Sequence, residues 1–288
     1  MTLYRRPVSL FRVHRLLPEE KEAILKFAEK YPTERHRKLS YLLLREAGIA
    51  VSPSSVYRVL LSKQLVQCWI KDQRIWKKKD LKATGPNQVW RSDITYIDIG
   101  AGYGYLIIVL DKFSRKIVHH ELRITMTTQD WEEVLLRALE KENLLDSSLK
   151  PKLVTDNGTQ PTSKRFKKLM KELGMKHIRT AVRHPESNGQ IEVVNKTLKY
   201  EYLYVNEKYP FTNFLMAKMT IDLAVKHYNQ KRLHQALGYT TPEEAHTGKH
   251  TEVLQSYKEK QQKARQRRKE INRQEHYQKY INAIPVAS

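Results

Sequence analysis

The hydrophobic pattern of this 288-residue chain changes period at Gln88, and that change restricts the fold more than any other feature. Val89–Ile99 alternates and is rich in β-branched residues. Tyr103–Leu110 follows the turn Gly100-Ala101-Gly102, and Lys116–Ile124 follows Phe113-Ser114-Arg115. These read as three meandering strands. The period then becomes helical over Thr128–Asn143, with Trp131, Val134, Leu135, Ala138 and Leu139 on one side. A strand at Lys152–Thr155, a helix at Ser163–Leu173 closed by Gly174, a short strand at Lys176–Arg179 and a helix over 187–205 follow. Strands that meander and then alternate with helices predict an α/β fold, a mixed sheet with helices on its faces.

Upstream, residues 1–17 form a basic arm, and Pro18 opens a helical pattern through Tyr31 with Ile24, Leu25, Phe27 and Ala28 on its apolar side. Thr33 is placed to cap a second helix ending at Ala47-Gly48, with Leu39, Leu42, Leu43 and Ala47 inward. Ser52-Pro53 starts a third, with Val56, Val59 and Leu60 inward. The short Gly-containing gap between the last two is that of a helix-turn-helix. In that reading the third helix enters the major groove and Ser54, Ser55, Tyr57 and Arg58 face DNA; the other reading is a plain three-helix packing module.

The expected organisation is an N-terminal helix-turn-helix region (1–70), a basic linker (71–87), a catalytic core (88–208), a helical extension of that core (209–250) and a basic helical tail (251–288). In the tail, Arg265, Arg267, Arg268 and Lys269 make a candidate phosphate-contacting cluster; a solvated helix face or a disordered tail is the alternative.

Charge narrows the class of partner. The net charge is +22, and all three parts are basic: 19 Lys/Arg against 8 Asp/Glu over 1–87, 25 against 19 over 88–250, and 9 against 4 over 251–288. A polyanion is expected, nucleic acid first. Cys68 is the single cysteine, which excludes an internal disulfide and a Cys-based zinc finger. No run is long and apolar enough to span a membrane, so a cytoplasmic protein is expected.

Three carboxylates carry the chemistry. Asp156 ends the fourth strand in a turn, Asp156-Asn157-Gly158; Asp93 lies within the first strand; Glu192 lies on the helix that follows, with 35 residues between it and Asp156. That spacing alone is weak evidence, since random placement of the acids gives roughly 0.7 such pairs. Position adds to it: an open α/β sheet places its ligand at the carboxyl ends of its strands. Three acids brought together repel one another unless protons or cations neutralise them. Hard divalent cations with oxygen ligands suit them, Mg²⁺ or Mn²⁺ in its place, and a pair of such ions promotes in-line displacement at phosphorus. Asn188, Lys196 and Lys199 lie at i−4, i+4 and i+7 from Glu192, on one helix face suited to phosphate, and Asn157 holds the turn or contacts DNA.

Trp90-Arg-Ser-Asp93-Ile-Thr-Tyr, Thr155-Asp156-Asn157-Gly158 and Asn188-Gly189-x-x-Glu192-x3-Lys196-x2-Lys199 resemble the DDE core of retroviral integrases and insertion-sequence transposases. Tyr228-Asn229, Arg232, His234 and Ala236-Leu237-Gly238-Tyr239-x-Thr241-Pro242 resemble the C-terminal signature of IS3-family orfB-type transposases; Arg232 and His234 are assigned to DNA on that basis. The resemblance implies an RNase H-like core with Asp93, Asp156 and Glu192 as catalytic metal ligands. It also implies Mg²⁺-dependent cleavage and strand transfer without a covalent enzyme–DNA intermediate. Expected partners are double-stranded DNA, both element terminal repeats and target, a homo-oligomer on that DNA, and an upstream orfA-type product; the setting is a bacterial cytoplasm, at the nucleoid. Val193 stands where many members of the family have Arg. The chain starts without a leucine-zipper pattern, so it is expected to be the orfB portion or an enzyme made whole in this form. Two other functions fit fewer of these residues: a DNA-binding protein with a non-catalytic core, and a plain RNase H-like nuclease.

Overall fold

The computed structural model describes residues 13–66, 81–100, 102–156, 159–179 and 189–282. The chain divides into two compact units. One is Ile75–His250; the other combines Met1–Arg74 with Thr251–Ser288.

The central unit is built on a five-stranded sheet of order β3-β2-β1-β4-β5. Strands β1 (Val89–Asp98), β2 (Tyr103–Asp111) and β3 (Ile117–Arg123) form the antiparallel meander, and β4 (Lys152–Thr155) and β5 (His177–Arg179) add in parallel beside β1. Period-2 alternation along β2 divides its apolar residues between two cores. Ile107 and Val109 pack with Trp90, Trp131, Val134, Leu135 and Phe166 under helices α4 (Thr128–Lys141) and α6 (Lys164–Glu172). Leu106, Ile108 and Leu110 pack on the opposite face with Ile191, Val194, Ile221 and Tyr228. Those residues come from α7 (Gly189–Thr197) and α8 (Phe214–Gln230). Between α6 and β4 lies the short α5 (Thr159–Thr162).

Both main helices on the first face are capped by their own sequence. Thr127 and Asp130 form a reciprocal capping box at α4, and Ser163 Oγ accepts from the Phe166 amide at α6. Helix α6 ends where Gly174 turns left-handed at φ 65°. The edge strand β3 is covered by a side chain that imitates a strand. Asn229 Oδ1 accepts from Ile117 N, and its Nδ2 donates to Ile117 O, both at 2.9 Å.

In the other unit, α1 (Pro18–Lys30), α2 (His36–Glu46) and α3 (Pro53–Ser62) enclose Ile24, Leu39, Leu43, Val51, Val56 and Leu60. Ser52 caps α3 by accepting from Ser55 N. The expected cap at Thr33 is corrected: α2 begins after Arg35, without a side-chain cap, because Glu34 N bonds back to Tyr31 O in a separate turn. Ala47, expected inward, is exposed, and Leu44 is buried instead. Leu44 and Ala50 pack on Tyr257 of α10 (His250–Asn282), so the tail folds onto the N-terminal helices. No helix among the described residues is long and apolar enough to cross a membrane.

Candidate active site

Strand register brings the two aspartates level. β4 runs parallel to β1 with Lys152 opposite Val89, Leu153 opposite Trp90 and Val154 opposite Arg91. Carried two residues further, this register sets Asp156 beside Asp93, on neighbouring strands that lie about 4.8 Å apart in a sheet. Side chains alternate along β1. Ser92 therefore points to the α4 face, where its Oγ accepts from Trp131 Nε1 at 2.7 Å, and Asp93 points to the α7 face. Ser92 is a buried structural hydroxyl.

Helix α7 supplies the third acid. Ile191, Val194 and Leu198 are its buried stripe and fix its rotation over the sheet. That rotation leaves Glu192, in the first turn, half-buried at the flank, and aims Asn195 at β1. Asn195 Nδ2 donates to Asp93 Oδ2 at 2.8 Å. Asn195 Oδ1 is buried and accepts no hydrogen bond.

The electrostatics follow from this crowding. Burial, and after it the charge of Asp156 with a smaller contribution from Glu192, raises Asp93 to about 6, against the hydrogen bonds of Ile94 and Asn195 that favour its ionised form. Lys199 is half-buried; burial pulls its pKa down while the charge of Asp93 works the other way. Asp93 thus feels both other acids. Among the described residues, however, no three His, Cys, Asp or Glu side chains are gathered tightly enough to hold a metal ion. The acids share a field without closing into one ligand shell. Their chemistry fits a hard divalent cation, because a doubly positive ion would relieve the repulsion that raises Asp93.

The expected single helix over 187–205 is corrected: α7 stops at Thr197 and a π-helical segment, Leu198–Leu203, continues it. Lys196 is exposed on α7, whereas Lys199 falls within the wider winding. Asn157 and Asn188 lie outside the described residues.

The residues expected at DNA divide by exposure. Ser54, Tyr57 and Arg58 are exposed on α3, and Ser55 is half-buried in the cap. Arg58 and Lys63 of that region, with His14, Arg15 and Lys21, line a cavity of about 770 Å³ floored by Leu16, Leu25 and Val59. Arg232 makes a two-pronged pair with Glu201, at 2.7 and 2.8 Å, and His234 packs edge-on against Tyr228 at 4.9 Å. Both hold the C-terminal part of the core together. In the tail, Arg267 meets Glu19 at the surface at 2.7 Å. The expectation of a surface cluster is corrected at Arg268, which is buried: its Nε donates to both oxygens of Glu20, at 2.8 and 2.9 Å, and its Nη2 to Ala50 O.

Two groups of residues had no prior assignment. Asn195 lies at i+3 from Glu192, and that spacing is a signal for a shared helix flank. The second group surrounds His246, at the end of α9 (Pro242–His246). His246 Nε2 lies 2.7 Å from Glu142, and Ser114 Oγ lies 3.0 Å from its Nδ1. No pattern in the sequence marks these partners, 104 and 132 positions away from it.

A mixed sheet in this order, with two acids level on adjacent strands and a third on a helix across them, is the frame of an integrase-type catalytic core. Two family models described as integrase core domain match the chain, over residues 83–185 and 173–242. The transposase for insertion sequence element IS904 of Lactococcus lactis is 33% identical over 165 residues, covering 57% of this chain and 62% of that protein, less than two thirds of its length. Transposase InsD for insertion element IS2 of Escherichia coli is 27% identical over 245 residues, covering 82% of this chain and 77% of InsD. Among solved structures, a simian T-cell lymphotropic virus intasome, in complex with PP2A regulatory subunit B56 gamma, superimposes with a TM-score of 0.50 at 19% identity, over 77% of this chain and 74% of that one. The fold is RNase H-like α/β. Between them the two integrase core domain models span residues 83–242, and the chain is similar to transposases of insertion sequences.

Proposed function

We propose that this protein is a DDE transposase that binds the terminal repeats of an insertion sequence, cleaves DNA there and joins the freed end to a target strand. The observation that carries the reading is the β1–β4 register, which sets Asp156 level with Asp93, together with the Asn195–Asp93 hydrogen bond that ties the Glu192 helix to the same strand.

Asp93, Asp156 and Glu192 would hold divalent metal, Mg²⁺ or Mn²⁺, as a pair of ions. Bound there, the metal would make water and then a 3′-OH nucleophilic at a phosphodiester and stabilise the leaving oxygen. The chain's own residues do the rest. Asn195 orients the Asp93 carboxylate. Lys196 and Lys199 offer positive charge to the phosphates flanking the scissile bond. Asn157 and Asn188 are assigned to DNA as well.

The N-terminal helices would read the repeat. Ser54, Tyr57 and Arg58 are presented outward on α3, and the basic cavity beside them would take backbone phosphate. The segments 1–70, 71–87, 88–208, 209–250 and 251–288 then serve as reading head, linker, catalytic core, core extension and basic tail. Joining two ends to one target calls for two copies on DNA, and an upstream orfA-type product is a further partner. Work on chromosomal DNA places the protein in the bacterial cytoplasm, at the nucleoid.

The test is substitution of the acids. Asp156→Asn and Glu192→Gln should each abolish nicking and strand transfer on end-containing DNA in Mg²⁺ while binding of that DNA persists. Full strand transfer by either variant removes the catalytic assignment.

A further inference from the structure

The π-helical segment after α7 has a consequence for DNA at the acidic site. At about 100° per residue, Lys196 lies ~40° around the helix from Glu192, and a continued α-helix would carry Tyr200 to ~80°. The i→i+5 winding that begins at Leu198 turns through less per residue. Tyr200 therefore falls back toward the edge that carries Glu192 and Lys196. It is 65% exposed there, and Lys196 beside it is exposed as well.

Behind Tyr200 stands a row of rings anchored in the core. Tyr200 meets Tyr204 edge-to-face, with centroids 5.2 Å apart at 86°. Tyr204 meets Tyr209 at 4.7 Å, and Tyr209 meets Phe211 at 5.5 Å and 89°. Phe211 is fully buried in the core beneath α8. An exposed aromatic ring is ordinary, but a ring braced against Tyr204, which is itself backed by Tyr209 and Phe211, has already lost part of the freedom that binding would otherwise cost. The edge-to-face contact occupies only part of Tyr200 and leaves ring surface open to solvent.

Charge selects the occupant. Lys196 and Lys199 lie in the same stretch of chain; Glu201, the acid next to Tyr200, is paired with Arg232, and Glu207 stands beside Lys208 further on. Lysines interleaved with exposed aromatic rings form the combination that holds unpaired nucleic-acid strands: the cations follow the phosphates and the rings stack on bases. Through the Asn195–Asp93 hydrogen bond, the helix bearing this surface is fixed to the strand that carries the first acid.

We propose that Tyr200, braced by Tyr204, is a stacking platform for an unpaired nucleobase of the DNA strand that enters the acidic site. This rests on the proposed transposase reading and adds to it a residue that distinguishes opened DNA from paired DNA. The platform favours a strand end whose terminal pairs have separated, because a base inside a duplex has no face to offer.

The experiment uses the full chain in EDTA, with a forked duplex bearing 2-aminopurine in its unpaired arm and the same duplex fully paired. Wild type should bind the fork more tightly and change the 2-aminopurine emission. Tyr200→Ala should lose roughly 5- to 150-fold in affinity for the fork, the range measured for one stacked base, with paired-duplex affinity unchanged. Tyr200→Phe should bind like wild type. Wild type without preference for the fork, or Tyr200→Ala losing both duplexes equally or neither, would overturn the proposal. So would loss of self-association by sedimentation with fork binding intact, which would assign the ring to a second copy of the chain. Because binding is read without divalent cation, a wild type that binds the fork but never nicks DNA in Mg²⁺ counts against the catalytic reading alone.

Discussion

Asn195 donates from Nδ2 to Asp93 Oδ2 over 2.8 Å, joining the helix of the third acid to the strand of the first. The contact favours the ionised carboxylate and orients it, the two properties a metal ligand needs. Asn195→Ala should fold normally and lose roughly 10- to 100-fold in strand transfer, the usual effect of removing a group that orients a ligand. Asn195→Asp should lose more, since it adds a negative charge to a site that already repels itself. Strand-transfer rates across a Mg²⁺ titration check both; an unimpaired Asn195→Ala would make the bond incidental.

The same repulsion makes a prediction about stability. Burial and the charges of Asp156 and Glu192 raise Asp93 to about 6, so the cation-free protein carries a strained set of acids. Removing one of the neighbouring charges should relieve it. Asp156→Asn in EDTA should be more stable than wild type by up to about 1 kcal/mol, or roughly 2–4 °C in Tm. Added Mg²⁺ should raise the wild-type Tm and leave the variant unmoved. A variant melting below wild type in EDTA would contradict the electrostatic account.

Two adjacent arginines of the tail should behave oppositely. Arg268 is buried against Glu20 and Ala50, whereas the Arg267–Glu19 pair is exposed on both sides. Arg268→Ala strands a buried carboxylate and should destabilise its unit by about 3–5 kcal/mol. Arg267→Ala should cost no more than about 1 kcal/mol. If Arg267 also touches phosphate, its removal lowers the slope of DNA affinity against salt by about one. Denaturant melts and salt-dependent binding separate the two effects.

The central unit has a pH-sensitive joint away from the acids. Burial opposes a charge on His246, but the carboxylates of Asp111, 3.9 Å away, and Glu142, 2.7 Å away, outweigh it and hold the imidazole near 9. Burial likewise opposes the charge on Glu142; hydrogen bonds from His246 and Asn87 and the charges of His246 and Lys116 overcome it and bring Glu142 to about 2. A raised imidazole gives stability that is whole below its ordinary value of 6.5 and lost as pH climbs through 9. A depressed carboxyl gives stability that is whole above its ordinary value of 4.5 and lost as pH falls through 2. Stability from this pair should therefore be full between those two ordinary values. His246→Gln should remove its contribution to the alkaline limb of a Tm–pH curve, while Glu142→Gln should cost about 3–5 kcal/mol near neutral pH. An alkaline limb unaltered in His246→Gln would show that the imidazole carries no charge.

Much of this architecture was legible before any coordinates. β4 runs over Lys152–Thr155, as its apolar run predicts. What escaped is what depends on partners far off in the chain. The inward assignment of Ala47 failed because α10, more than 200 residues on, covers the neighbouring Leu44 instead. Leu198 and Leu203, five positions apart, both reach one core across a π-helical segment, a spacing that α-helical periodicity does not register. Asn195 does not stand out in the sequence, because an amide on a helix is commonplace until β1 is known to lie opposite.

The fold-back of α10 also bears on how the molecule is made. Glu20 leaves the ribosome 248 residues ahead of its counter-ion Arg268. The core encoded between them can collapse while translation continues, but the body that includes α1, α2 and α3 is finished only once α10 has followed. A product cut short after the core would keep its acids and leave Glu20 buried without its cation, or drive that helix apart to hydrate it.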